Sequence, residues 1–160
     1  VCDISAVDTF PIFIKPYLDV KAFTGFVAYD KFDIELFTNS YTGQVMVQTV
    51  VDIVSEYRAY ICNNELLGIK HYSGDPLIFP NAQVLRKCFK LGAANIDYHS
   101  YTLDFGVLFD GSTILIEIND GWAVGNYGIE PLDYYIFVRN RWLQITGVRT
   151  KMDYVHKLGY

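Results

Sequence analysis

Residues 102 to 119 read TLDFGVLFDGSTILIEIN, two runs of alternating polar and apolar positions interrupted by Asp110-Gly111. Period-two alternation marks a half-buried strand, and Asp-Gly between two such runs favours a tight hairpin. A two-residue turn pairs Phe109 with Ser112, Asp104 with Glu117 and Thr102 with Asn119. Leu103, Phe105 and Val107 then share the other face with Ile118, Ile116 and Ile114, the side expected to meet the core. A four-residue loop keeps that register, whereas a three-residue loop breaks it.

Residues 56–62 and 66–72 predict another hairpin around Asn63-Asn64-Glu65. A three-residue loop there sets Arg58 opposite Lys70 and gathers Tyr57, Ala59 and Ile61 with Leu67, Ile69 and His71 on an apolar face. Upstream, PIFIK at 11–15 reads as a short strand closed by Pro16, with Phe13 and Lys15 on one face and Ile12 and Ile14 on the other. Residues 17–29, containing Phe23-Thr24-Gly25, read as a loop into a second strand; 30–43 carries no clear period; VMVQTVVDI at 45–53 reads as a buried strand. Asn81 caps a predicted amphipathic helix over 81–94, with Val84, Leu85, Cys88, Phe89 and Leu91 at helical spacing and Gly92 near its end. A second helix starts near Pro131 and runs through Tyr134, Tyr135, Phe137 and Val138 into Arg139 and Arg141, cations placed late as the helix dipole favours. This order predicts an α+β fold of antiparallel sheets with packed helices, without internal repeat or linker.

With 160 residues, 51% of them hydrophobic, the chain is long enough for one sizeable core and is expected to be a single domain, residues 1–160, or a fragment of one. It opens on Val1 rather than Met, which leaves room for upstream sequence. A net charge of -5 and a pI near 5.0 argue against a broad surface for nucleic acid or anionic membrane. Cys2, Cys62 and Cys88 are odd in number, far apart and without zinc-ligand spacing, so a reducing, cytoplasmic setting is expected. No apolar run approaches the roughly 18–20 residues of a membrane helix, and a soluble protein is expected.

Opposed carboxylates on a sheet stand about 4.5–5.5 Å apart at Cβ and are destabilising unless compensated. A cation compensates them, and two carboxylates with the Asn119 amide oxygen suit Mg²⁺, which keeps waters and phosphate oxygens in its shell. Spacing alone is met equally by a surface strand pair with scattered acids, or by one carboxylate held protonated. Arg58 and Lys70 present two juxtaposed cations to an anion, although an ion pair of Arg58 with Glu56 also fits. His71, His99 and His156 lack a nucleophile or base partner at useful spacing and are read as structural or solvated. Trp122 and the tyrosine-rich 127–135 segment fit either an acceptor pocket or ordinary packing.

Taken together in order, these motifs resemble the ATP-grasp superfamily. FIKPYLDVKAFTG is similar to its lysine-bearing strand and following loop, VQTVVDI to its adenine hinge and SEYRAYI to its arginine strand. TLDFGVLFDG and LIEINDG are similar to its Asp and Glu-x-Asn metal motifs. The likeness extends to a small bacterial and phage clade in which Glu-Tyr-Arg and Glu-Ile-Asn-Asp-Gly-Trp precede a Gly-x-Tyr-Gly element, here Gly125-Asn126-Tyr127-Gly128. The resemblance implies an ATP-grasp fold, ATP and Mg²⁺ as cofactors, and carboxylate–amine ligation through an acyl phosphate, with small-molecule or peptide carboxylate and amine substrates. It implies that Lys15 and Lys21 contact the nucleotide phosphates, that Gln48, Val50 and Val51 border the adenine, and that Asp52 reaches the ribose. Arg58 is implied to bind a phosphate or the acyl phosphate with Lys70 beside it, and Asp104, Glu117 and Asn119 to hold Mg²⁺. The amino-terminal subdomain usual in such enzymes has no room in this chain. The alternatives are a non-catalytic nucleotide-binding or interaction module, and phosphotransfer to a non-carboxylate acceptor.

Overall fold

Alternation is carried directly into burial in the first strands. The computed structural model describes residues 1–19 and 21–148, in two units divided after Val51. The first unit comprises β1 (Cys2–Asp3), a short 3₁₀ turn, β2 (Ile12–Pro16), β3 (Phe26–Ala28), α1 (Lys31–Phe37) and β4 (Gln44–Thr49), with antiparallel strands in the order β1-β4-β2-β3. Ile12, Ile14 and Pro16 point inward, while Phe13 and Lys15 lie on the half-exposed face. The core gathers Ile14, Phe23, Ala28, Ile34 and Val45. The stretch without a clear period contains α1, started by the Asp30 carboxylate accepting from the Asp33 N–H at 3.0 Å. The predicted 45–53 strand stops at Thr49, and Val45 is its one buried position. Since β1 covers only Gln44 and Val45, the rest of β4 has a neighbour on one side alone.

The second unit comprises β5 (Ile53–Cys62), β6 (Glu65–Gly74), α2 (Ala82–Asn95), β7 (Ser100–Leu108), β8 (Thr113–Asp120) and α3 (Pro131–Thr146), with antiparallel strands in the order β6-β5-β7-β8. The central strands β5 and β7 are buried on both faces. On one face Ala59, Ile61, Tyr101, Leu103 and Phe105 pack with Leu85 of α2; on the other Tyr60 and Cys62 pack with Ile129 and Phe137. Asn81 caps α2 as predicted, its side-chain oxygen accepting from the N–H groups of Gln83 and Val84. Helix α3 starts at Pro131 but ends on Gly147 at φ 67°, so Arg139 and Arg141 lie inside it rather than in its last turn. Arginine favours a helix end without terminating one; the left-handed glycine does. Among the described residues no helix is long and apolar enough to cross a membrane.

Both hairpin turns differ by one residue from expectation. Asn63 and Asn64 take φ of 50° and 66°, closing a two-residue turn in which Cys62 faces Glu65. A bulge at Leu67 then shifts the ladder, so that Ile61 meets Leu66 rather than Leu67, while Ala59 meets Ile69, Arg58 meets Lys70 and Tyr57 meets His71, as predicted. In β7–β8, Leu108 donates to Ser112 at 2.8 Å across a Phe109-Asp110-Gly111 loop, with Gly111 at φ 81°, so the predicted Phe109–Ser112 closing pair is replaced. Near the loop Phe105 meets Leu115 and Val107 meets Thr113, not Ile116 and Ile114. A bulge at Ile116 restores the predicted register from Asp104–Glu117 through Thr102–Asn119. Ile118, expected in the core, is 49% exposed because β8 is an edge strand beyond the cluster under α2.

Candidate functional site

One rung of the second sheet carries four charges. Across β6, β5, β7 and β8 it reads Lys70, Arg58, Asp104, Glu117, each residue directly opposite the next. Residues opposite one another project from the same face, so two cations and two anions form a single row. The next rung on that face reads Gly68, Tyr60, Thr102, Asn119. The structure thus brings together five predicted site residues: Arg58, Lys70, Asp104, Glu117 and Asn119.

At the centre of the row, Arg58 donates to Asp104 through Nε at 2.8 Å and Nη2 at 2.6 Å, a bidentate pair in which both residues are buried. The alternative partner, Glu56, instead accepts from the Tyr72 hydroxyl at 2.9 Å. Burial pulls the Arg58 guanidinium down, but the hydrogen bonds and charge of Asp104 outweigh it and hold the group above its ordinary value. Burial pushes the Asp104 carboxyl up; Arg58 pulls against this without cancelling it, and Glu117 and Glu56 add to the push. The central charges satisfy each other, while Lys70 and Glu117 stand on the edge strands.

Asn119 ties the acidic end together, its Nδ2 lying 3.0 Å from Glu117 Oε1 and 3.5 Å from Asp104 Oδ2. Among the described residues no group of three or more His, Cys, Asp and Glu side chains forms a metal cage. The donors here are two carboxylates and an amide that can turn to offer its oxygen, an all-oxygen set of few protein ligands that fits Mg²⁺. A cation among them would also offset the negative surroundings that push Asp104 upward.

Aromatic residues frame Arg58. Its Cζ lies 4.9 Å from the Tyr127 ring centre and 5.7 Å from that of Tyr72, and the two rings stack at 4.9 Å. Tyr127 belongs to the 121–130 loop, which is held by Tyr60 donating to the Gly125 carbonyl and Tyr134 donating to that of Val124, both at 2.6 Å. Gly121 allows the loop to leave β8, because a Cβ there would lie 2.5 Å from the Ser100 carbonyl oxygen. Sequence reasoning flagged Tyr127 through the Gly-x-Tyr-Gly element and the tyrosine-rich 127–135 segment but missed Tyr72, whose bulge position hides it from simple alternation. Trp122 stacks on Trp142 at 4.8 Å, beside Arg141, which grips Asp120 at 2.5 and 2.7 Å. A cleft of about 900 Å³ opens elsewhere in this unit, lined by Cys62, His99, Asp133 and Asn140 among others, and includes no member of the charged row. Chemistry rather than volume therefore locates the candidate site.

In the first unit, Lys15 and Gln48 lie on the same face of neighbouring strands, since Lys15 faces Met46 and Phe13 faces Gln48. Lys21 is exposed in the β2–β3 connection, and Val50, Val51 and Asp52 form the connection from β4 to β5, where the Asp52 carbonyl accepts from the Phe109 N–H at 3.2 Å. His71 packs edge-on against Tyr57, the His99 N–H donates to Gln144, and His156 lies outside the described residues.

Known structures share the architecture. N5-carboxyaminoimidazole synthetase from Staphylococcus aureus complexed with ADP superposes with a TM-score of 0.59 at 12% identity, over 88% of this chain and 42% of that one. D-alanine–D-alanine ligase from Bacillus anthracis complexed with ATP gives 0.55 at 15% identity, over 88% and 54%. The ATP-grasp ligase PsnB, complexed with a phosphomimetic variant of its minimal precursor, Mg and ADP, gives 0.54 at 14% identity, over 81% and 46%. The chain thus spans about half the length of these structures, and at such identities the likeness concerns the fold. No curated protein matches the chain. The family model of the ATP-grasp domain, R-2-K clade family 2, matches residues 1–137, and this chain, whose described residues form two antiparallel sheets and three α-helices, belongs to that family.

Proposed function

We propose that this chain is the nucleotide- and metal-binding part of an ATP- and Mg²⁺-dependent carboxylate–amine ligase. The observation that carries the reading is the Lys70-Arg58-Asp104-Glu117 row with Asn119 beside it. Its acidic end suits a divalent cation and its basic end suits phosphate oxygens, so a nucleoside triphosphate bearing a cation complements both. Asp104, Glu117 and Asn119 are assigned to the cation, which when bound neutralises phosphate charge. Arg58 has two N–H groups engaged by Asp104, and its remaining donors, with Lys70, are assigned to the transferring phosphate or the acyl phosphate made from it. Lys15 and Lys21 are assigned to the nucleotide phosphates, Gln48, Val50 and Val51 to the adenine, and Asp52 to the ribose.

In this reading a substrate carboxylate oxygen attacks the γ-phosphorus and ADP leaves; an amine then attacks the acyl carbon, losing a proton, and phosphate departs. Positioning and electrostatics provide the catalysis. The acid and amine belong to small molecules or peptides. The test is ADP release from ATP and Mg²⁺ across a panel of acids and amines. Release that requires an acid, and amide formation that requires an amine, are the expected results; acid-independent release would favour phosphotransfer or idle hydrolysis. Absence of ATP binding by calorimetry would leave an interaction module. Glu117→Gln is expected to abolish metal-dependent turnover with the fold intact, and unchanged turnover would reject its role.

A further inference from the structure

Thr102 carries a buried hydroxyl. It is fully buried on the central strand β7, and among the described residues its Oγ1 has no hydrogen-bond partner. An unsatisfied buried hydroxyl is destabilising, and valine would fill the same space without that cost. Its neighbours on the rung do not relieve it as they stand: neither the Tyr60 hydroxyl, which donates to the Gly125 carbonyl, nor the Asn119 amide, whose nitrogen is directed to Glu117 and Asp104, is hydrogen-bonded to it. Thr102 lies on the same face as Asp104 and directly opposite Asn119.

This placement meets a requirement of the cation site. While Asp104 and Glu117 lack a cation, the Asn119 N–H₂ serves them as donor. Once a cation occupies those oxygens, an N–H₂ pointing at it is repelled, and the side chain must swing as well as turn to present Oδ1. Its N–H₂ then needs a new acceptor within reach, and the residue opposite, about 4.5–5.5 Å away at Cβ, carries a hydroxyl with open lone pairs. We propose that Thr102 is a positioning residue for a divalent cation, accepting the Asn119 amide N–H when Asn119 turns its oxygen to the metal. This inference rests on the assignment of Asp104, Glu117 and Asn119 to the cation.

Titration with Mn²⁺ alone, followed by electron paramagnetic resonance, together with thermal unfolding, tests it on the wild type, Thr102→Val and Thr102→Ser. A partner that orients a metal ligand is worth about 10–100-fold in affinity, so Thr102→Val is expected to weaken Mn²⁺ binding by about tenfold or more. Its melting temperature in the absence of metal is expected to be equal to or above that of the wild type, because an orphaned hydroxyl has been removed. Thr102→Ser, which restores the acceptor, is expected to bind within about threefold of the wild type. Equal Mn²⁺ affinity in Thr102→Val overturns the proposal while leaving the cation site intact; so does a Thr102→Ser variant as weak as Thr102→Val. Loss of affinity accompanied by a lower melting temperature assigns Thr102 to packing and overturns it as well. A wild type that binds no Mn²⁺ at millimolar concentration overturns the cation assignment itself.

Discussion

The β5–β6 and β7–β8 hairpins flank the same central strand pair, one bearing two opposed cations and the other two opposed anions. One turn is a residue shorter than its sequence suggests and the other a residue longer. Each nevertheless delivers its charged pair in the predicted register, because Leu67 on β6 and Ile116 on β8 bulge out of the ladder. Without the bulge, Arg58 would face Ile69 and Asp104 would face Ile116, and everything beyond would change faces. The outer strands, which have a free side on which to bulge, absorb the mismatch. Register at the site is therefore held from the middle of the sheet, by the Arg58–Asp104 pair and the apolar cluster behind it, rather than from the turns.

The strongest way to break this comparison is at its shared centre. Arg58→Ala leaves the buried Asp104 carboxylate without its partner and is expected to destabilise the protein by about 3–5 kcal/mol in denaturant unfolding, against about 1 kcal/mol or less for Lys70→Ala on the edge strand. Equal losses would show that the row is not anchored at Arg58–Asp104.

A smaller effect is expected from Tyr60, on the neighbouring rung. Burial first, opposed by the charge of Arg58, pushes its hydroxyl up from 10.0 to about 12. Its folded pKa exceeds the unfolded one, so the unfolded chain loses the proton first. The contribution is present in full below pH about 10 and is lost as pH rises through about 12, on the order of 2–3 kcal/mol. Melting curves across that range are expected to fall less steeply for Tyr60→Phe; parallel slopes would contradict the assignment.

The turns themselves should differ by about 1 kcal/mol. Gly111→Ala places a side chain at φ 81° and is expected to lose about 1 kcal/mol, whereas Asn64→Gly, at φ 66°, is expected to be neutral or slightly stabilising. Smallest of all, deleting Phe109, which is 86% exposed, would leave Asp110-Gly111 as a two-residue turn under the same Leu108–Ser112 pair. A stability change within about 0.5 kcal/mol is expected, with cross-strand nuclear Overhauser contacts still joining Asp104 to Glu117. Movement of that pairing would show that the turn sets the register after all.

By itself the sequence determined the element order of the second unit, the cap at Asn81, the helix start at Pro131 and, at the charged rung, which side chains share a face. Alternation and capping are local, so Asp104 with Glu117 and Arg58 with Lys70 were legible from pattern alone. Only the tertiary structure decided that β5 and β7 lie side by side, and hence that Arg58 spends two of its donors on Asp104, 46 positions away, rather than on Glu56. It also decided that Ile118 lies on an edge strand, that Tyr127 covers Arg58, and that Thr102 is sealed without a partner among the described residues. The physical reason is that periodicity reports the direction of a side chain from its own strand, whereas burial, ion pairing and unsatisfied polar atoms depend on which strand or loop arrives beside it.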